Sequence, residues 1–440
     1  MDLIYNEIKI CYDSGEREKG MKIFDKLCID YNISFDKKIY IDDMEYFLLI
    51  LEKISIIAFY IDGYKDIGYR ASEYLLFNKF PNINKNMVHS NLIFYINKLE
   101  NTKYINIDSE KILLDNPNNN YIYYAPLNPS ILKTNDGYII NLRYSNFYSI
   151  EGKSWHSMET DNIVRTKNYI LHCDKDFNIL SSNEIIDKSW KYYDNNKNNN
   201  SGNILGFEDC ILINKNNEIY FSCTTLDTIP IGTPKQTLCK LSELSENNTL
   251  LEGCIFDAKY EITDVMIMNG INDFDRAEKN WMYINDYDDN FKFIHSYDPI
   301  TIIEVENIKN KEICKVNIIS EIETDLDFSR FRGSGYPIKY SNETFLSVIH
   351  EVIFRTGDNR RYYVHRFILY DNNYKIIKIS KSFYFDHLGI EFCRGISESH
   401  NLNEIILTVG IEDKEARIYT IDTHIISNLL IDINNYVIYN

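Results

Sequence analysis

Apolar residues in the first hundred positions recur every three or four residues, whereas further along they come in short runs broken by Asn, Asp and Gly. The first spacing lays one apolar stripe along a helix, and it is clear in "EREKGMKIFDKLCIDYN", "MEYFLLILEKISIIAFYI", "KDIGYRASEYLLFN" and "MVHSNLIFYINKLE". Short polar connectors such as "IDGYKD" separate these stretches, so the pattern predicts paired amphipathic helices up to about residue 105.

After "NTKYINIDSEKILLDNPNNN" the runs are rich in Ile, Tyr, Phe and Val, which suits strands, and helical periodicity does not return. One phrase recurs five times: a polar cluster, an apolar run, a short Asn/Asp turn and a second apolar run. It reads "NPSILKTNDGYIINLRY" (128–144), "EDCILINKNNEIYFSCTT" (208–225), "EKNWMYINDYDDNFKFIHSYDP" (278–299), "RGSGYPIKYSNETFLSVIHE" (332–351) and "GIEFCRGISESHNLNEIILTVGIED" (389–413). Five such units predict a mainly β chain in which residues 106–440 form a five-bladed β-propeller, preceded by an α-helical domain over residues 1–105. In a propeller the polar clusters at matching strand ends converge on one channel. Neighbouring strand residues face opposite ways, so Asp209 is expected at the channel mouth and Glu208 pointing back into its blade.

At 440 residues, with 44% hydrophobic and 25% charged residues, the chain has the composition of a globular protein large enough for two domains. The polar tract at 192–200, "YYDNNKNNN", reads as a loop tip. A net charge of −18 without any basic stripe disfavours nucleic acid and anionic membranes as partners and suits a neutral polar substrate. Nine cysteines without a C-x-x-C pair suggest reduced thiols in a cytoplasmic compartment. No signal peptide is read at the N-terminus, and the apolar stretch 46–61 is interrupted by Glu52 and Lys53, so no membrane span is expected.

The motifs become more specific when taken in order. "NPSI" with "GYIINLRYSNF", "GFEDC", "EKNW" with "FIHSYDP", "RGSGYPI" with "HEV" and "YVHRF", then "GIEFCRGI" and "GIEDKEA", together resemble the family 130 glycoside hydrolases and related mannosyl-transferring propellers. The helical stretch is similar to tetratricopeptide segments and suggests a docking surface for a protein partner. The family resemblance implies a five-bladed propeller acting on mannosides, as phosphorylase, hydrolase or transferase, with carbohydrate and either inorganic phosphate or a sugar phosphate as partners. It implies Asp209 as general acid, protonating the leaving oxygen while an acceptor attacks the opposite face. The family's Pro-Arg after this Asp is Cys210-Ile211 here, which removes a basic group beside the acid.

Lys279, Arg332, His350, His365 and Arg366 are the candidates for holding phosphate, which needs several charge-assisted hydrogen bonds. Lys279 and Trp281 read equally as a cation beside a sugar-stacking platform or as a salt bridge to Glu278 beside a core Trp. Asn128, Arg143, Asn146, Glu208, Asp298, Glu351, Glu391 and Asp413 complete the candidate substrate ligands, with Glu391 and Asp413 equally suited to latch neighbouring blades. No Gly-rich phosphate loop and no His-x-x-x-His spacing is present, so neither cofactor nor metal is expected, and "GSG" at 333–335 reads as a close approach of two strands. A catalytically silent propeller that binds glycan or protein is the alternative that these residues leave open.

Overall fold

The computed structural model describes all residues except 81–82, 108–123, 151, 159, 161, 188–203, 227–232, 245–258, 272–276, 287, 289, 307–312, 358–359 and 440. The tract 192–200, read as a loop tip, lies outside the described residues. The chain is mainly β with helices gathered at its N-terminal end.

The helices are α1 (Asp2–Ser14), α2 (Arg17–Asp30), α3 (Met44–Ile57), α4 (Lys65–Phe77) and α5 (Lys85–Leu92). Their apolar stripes are the ones the spacing predicts: Met21, Phe24 and Leu27 of α2 and Phe47, Leu51 and Ile54 of α3 are buried. Helix α4 is buried on all sides from Gly68 to Phe77, including Arg70 and Glu73, because it lies between other helices and the β region. The helix expected over 87–100 stops at Leu92; beyond it Asn97–Lys98 pairs with Phe383–Tyr384. There a strand partner distant in sequence outweighs local periodicity. A further correction is a seven-residue helix, Thr423–Leu429, inside the region read as wholly β.

The strands form five antiparallel meanders, and each recurring phrase is the first hairpin of one. The first runs through Ala125–Lys133, Gly137–Ser145, Val164–Asp174 and Ile179–Glu184. The second comprises Glu208–Lys215, Glu218–Thr225, Lys235–Leu244 and Lys259–Asn269. The third comprises Met282–Ile284, Lys292–Tyr297, Ile300–Val305 and Ile313–Ile322. The fourth comprises Arg332–Lys339, Thr344–Phe354, Arg361–Asp371 and Ile376–Ser380. The fifth has Glu391–Glu398, Glu404–Ile411 and Glu415–Asp422, and its outer strand is Thr102–Asn106 from the N-terminal side.

These do not stand as five separate four-stranded sheets. Parallel pairing of Ile267–Asn269 with Ile313–Lys315 joins the second and third meanders into one eight-stranded sheet. The fourth meander extends through Leu430–Asp432 and the Phe383–Tyr384 strand.

First strands of neighbouring meanders pack against one another, the fifth against the first and fourth, the fourth against the third, and the first against the second. Glycine makes this approach possible. A Cβ on Gly333 would fall 2.3 Å from the Asn280 carbonyl oxygen, and one on Gly395 would fall 2.9 Å from the Ile131 nitrogen. One hydrophobic core runs from Phe24, Leu51 and Phe77 of the helices into Ile303, Val348, Ile368 and Leu407 of the third, fourth and fifth meanders.

Candidate functional site

Where first strands meet, several are bulged. Register shifts fall between Leu127 and Ser130 and between Glu208 and Ile211, and at these breaks Asn128 and Asp209 take left-handed backbone angles, φ +46° and +51°. Asn and Asp tolerate that region better than most residues, and a bulge re-aims the side chain it carries. Both side chains turn to the same point: Asn128 Nδ2 donates to Asp209 Oδ1 at 2.7 Å.

Arg143, buried in the second strand of the first meander, ties the two acids together. Its Nη1 donates to Asp209 Oδ1 at 2.7 Å and its Nη2 to Glu208 Oε1 at 2.6 Å. The carboxylates stay within reach of water, with 17% of the Glu208 and 24% of the Asp209 side chain exposed. The expected division of labour, Glu208 into the blade and Asp209 into the channel, is therefore replaced by a shared arginine. The bulge breaks the strict alternation on which that division rested. Burial by itself raises the Asp209 pKa, but Arg143, Arg394 and the Asn128 hydrogen bond together hold it below the usual carboxylate value. Burial and the neighbouring Asp209 push Glu208 the other way, upward, against the pull of Arg143.

Cations gather on the far side. Arg394 is fully buried; its Nε donates to the Asp209 carbonyl oxygen at 2.7 Å, while neither Nη has a hydrogen-bond partner among the described residues. His350 is buried next to it. Burial first, then His365, Arg332, Arg394 and Lys279, keep its pKa well below the ordinary histidine value, so its ring is neutral. Lys279 and Arg332 are exposed and form no ion pair among the described residues. On the rim, Trp155 Nε1 donates to Asp413 Oδ2 at 2.9 Å, and the Arg361 guanidinium lies 4.4 Å from the centre of the Trp155 ring.

Asn128, Arg143, Glu208 and Asp209 are thus in direct contact, with Lys279, Arg332, His350 and Asp413 around them. The other candidates are elsewhere. Trp281 is 1% exposed, with its Nε1 3.3 Å from Glu278 Oε2, so it is a core residue and offers no stacking face. Asp298 is held by Lys79 at 2.8 Å on the helical side. Glu391 accepts the backbone N–H groups of Phe385, Asp386 and His387 and closes a turn. Asn146 accepts from the Arg165 N–H at 2.6 Å and braces the loop before Val164.

Strand alternation sends one residue of each adjacent pair, His350–Glu351 and His365–Arg366, away from the site. Glu351 and Arg366 point to the helices, where Arg366 bonds Glu73 at 2.7 Å and Glu351 at 3.0 Å. His365 accepts the Cys393 N–H at 3.1 Å, and burial lowers its pKa to about 3.

Arg394 and Trp155 were not among the residues singled out from the sequence. A signal existed for Arg394, a charge within the apolar strand phrase "EFCRGI". None existed for Trp155, whose partner is 258 residues away.

Among the described residues no cluster of three or more His, Cys, Asp or Glu could hold a metal ion, no helix is long and apolar enough to cross a membrane, and the eight cysteines are free thiols.

No protein-family model matches the chain, and no curated protein does. Several solved structures are similar to it. A β-1,2-mannobiose phosphorylase from Listeria innocua in complex with β-1,2-mannobiose matches at 12% identity and TM-score 0.45, over 74% of this chain and 99% of that one. A glycosyl hydrolase from Bacteroides ovatus matches at 12% identity and TM-score 0.42, over 68% and 85%. MPT-4, a mannose phosphorylase from Leishmania mexicana in complex with phosphate, matches at 12% identity and TM-score 0.39, over 68% and 85%. These likenesses are distant, and the site stands on its own geometry.

Proposed function

We propose that the five meanders are the blades of one five-bladed propeller, and that the chain is a carbohydrate-active enzyme transferring or cleaving a glycosyl unit, mannosyl by the motif resemblance, at Asp209. Support for the propeller comes from five equivalent first hairpins and from the contacts among their first strands. The single observation that carries the function is unmatched positive charge beside reacting-type carboxylates. Arg394 is fully buried with both Nη groups unbonded among the described residues and its Nε on the Asp209 carbonyl oxygen, and Lys279 and Arg332, which form no ion pair among the described residues, stand near. Buried, unsatisfied donors of this kind are rare and costly unless a ligand completes them. An oxyanion, inorganic phosphate or the phosphate of a sugar phosphate, has the charge and acceptors to do so. Sugar hydroxyls suit Asn128 and the carboxylates.

An Asp209 held ionised by Arg143 opposes the protonated-acid role that the motif resemblance implies. It suits a carboxylate that stabilises positive charge growing at the anomeric carbon.

The test is a mannoside library incubated with and without phosphate, with free sugar and sugar 1-phosphate measured for the wild type and Asp209→Asn. Turnover that the variant loses supports the reading, and no turnover of any glycoside sinks it. A glycan- or protein-binding module is the second reading. It is favoured by Arg143, which already pairs with both acids, and by the absence of Trp281 from the site surface. Saturable glycan binding without turnover would select it.

A further inference from the structure

We infer that Asp413 is the carboxyl that carries the donatable proton of this site; the inference rests on the carbohydrate reading above only for the identity of the proton's acceptor. Asp413 follows Glu412 in the turn between Glu404–Ile411 and Glu415–Asp422, and both residues are left-handed, φ +53° and +50°. The turn sends its two acids to different partners. Glu412 Oε1 accepts the Ile390 N–H at 2.8 Å and lies 3.2 Å from His387 Nε2. Asp413 Oδ2 accepts only the Trp155 indole N–H, a neutral donor, and its Oδ1 has no partner among the described residues.

The charged and titratable groups that face Asp413 come from four directions. Arg143 approaches from the first meander, Asp209 from the second, Tyr363 from the fourth and Glu412 from its own turn. Arg143, the cation among them, already bonds both Glu208 and Asp209. Asp413 is thus a recessed carboxyl with one neutral donor and two acidic neighbours, whereas Asp209 has a guanidinium and an amide on a single oxygen.

Burial is the largest cause of a pKa raised to about 6 for Asp413, with Asp209 and Glu412 adding to it and Trp155 and Arg143 opposing. Asp209 is lowered. Two carboxyls with environments that drive their ionisation apart form the arrangement in which one keeps a proton to give and the other stays charged. In the transfer, a phosphate oxygen lone pair forms the new bond to the anomeric carbon. The electron pair of the broken C–O bond goes to the leaving oxygen, which takes the Asp413 proton, and Asp413 is left as carboxylate.

Trp155 makes this testable without a substrate. In the full-length ¹⁵N-labelled chain, with its indole resonance assigned through Trp155→Phe, the Trp155 N–H signal should titrate with a midpoint near 6, and Asp413→Asn should abolish that titration. The Asp413 carboxyl carbon, followed in ¹³C-aspartate-labelled protein, reads the same ionisation should the Asn variant fail to fold. A Trp155 resonance without inflection between about pH 5 and 7, or an Asp413 carbon that titrates near the ordinary value of 3.8, overturns the proposal. Titration near 6 in a chain that turns over no glycoside would instead reject the carbohydrate reading and leave the proton site standing.

Discussion

Arg366 and Arg143 each hold two carboxylates, and they do different work. Arg366 bonds Glu73 of α4 and Glu351 of the fourth meander, with all three side chains 0% exposed. Glu351 also meets Arg330 at 2.8 Å and His89 at 3.0 Å, so every charge there has a partner, and the network welds the helices to the sheet. Arg143 bonds Glu208 and Asp209, but water reaches both acids, and Arg394 beside them has donors unbonded among the described residues. In the closed network the acids are fully buried and paired, and the one donor left unbonded among the described residues is Arg330 Nη2. The open one has both acceptors and donors to spare, and that difference, rather than the presence of charge, marks the candidate site.

The largest effect should come from cutting the closed region away. A chain beginning at residue 107 loses Glu73 and the outer strand Thr102–Asn106 of the fifth meander. It is expected to lose its cooperative unfolding transition in calorimetry, and a sharp transition near the wild-type temperature would show the helices to be dispensable.

Next is Arg366→Ala. Removing one partner from a buried ion pair leaves uncompensated charge and costs about 3–5 kcal/mol, measurable by urea unfolding; a loss under about 1 kcal/mol would put Arg366 on a par with surface pairs. Arg143→Met should cost less, about 1.5–3 kcal/mol, because Glu208 and Asp209 can turn to water or take a proton. Its pH dependence separates the two regions further. A carboxylate with a lowered folded pKa contributes stability that is present above its unfolded pKa and lost as pH falls through the folded one. The Arg143→Met deficit should therefore shrink as pH falls below about 3.8, where the folded wild type begins to lose that contribution, and a deficit constant with pH would detach Arg143 from Asp209.

Asp209→Asn should lower stability at neutral pH by less than Arg143→Met, since Glu208 still pairs with Arg143, while slowing turnover of a verified glycoside about 10²–10³-fold. Equal rates would place Asp209 outside the chemistry. The smallest effect belongs to Asp413. With a folded pKa raised to about 6, its stabilising contribution is complete below its unfolded value and lost as pH rises through 6. Asp413→Asn is expected to raise the melting temperature by about 1–2 °C at pH 7.5 and not at pH 4. A variant less stable at both pH values would mean that the carboxylate itself is the stabilising species.

The fold was largely legible because its signals are local. Stripes of apolar residues at helical spacing needed no partner to be read, and the five strand phrases mark five first hairpins because each hairpin closes within its own segment. The pair Glu208–Asp209 with Asn128 and Arg143 was also legible, as polar residues at matching ends of apolar runs. Trp281, Asp298, Glu351, Arg366 and Glu391 have the same residue types and similar spacing, yet the structure uses them for packing, latching and welding.

What the sequence determined by itself is thus the helical and strand segments and the first hairpin of each meander, since periodicity and turn residues act over a few neighbours. Only the tertiary structure decided which charges are satisfied. Glu73 reaches Arg366 across 293 residues, Trp155 reaches Asp413 across 258, and Arg394 reaches Asp209 across 185. A carboxylate in a strand reads the same whether its partner arrives or not, because the energy that decides its role, burial set against a counter-charge, is a property of the packed neighbourhood.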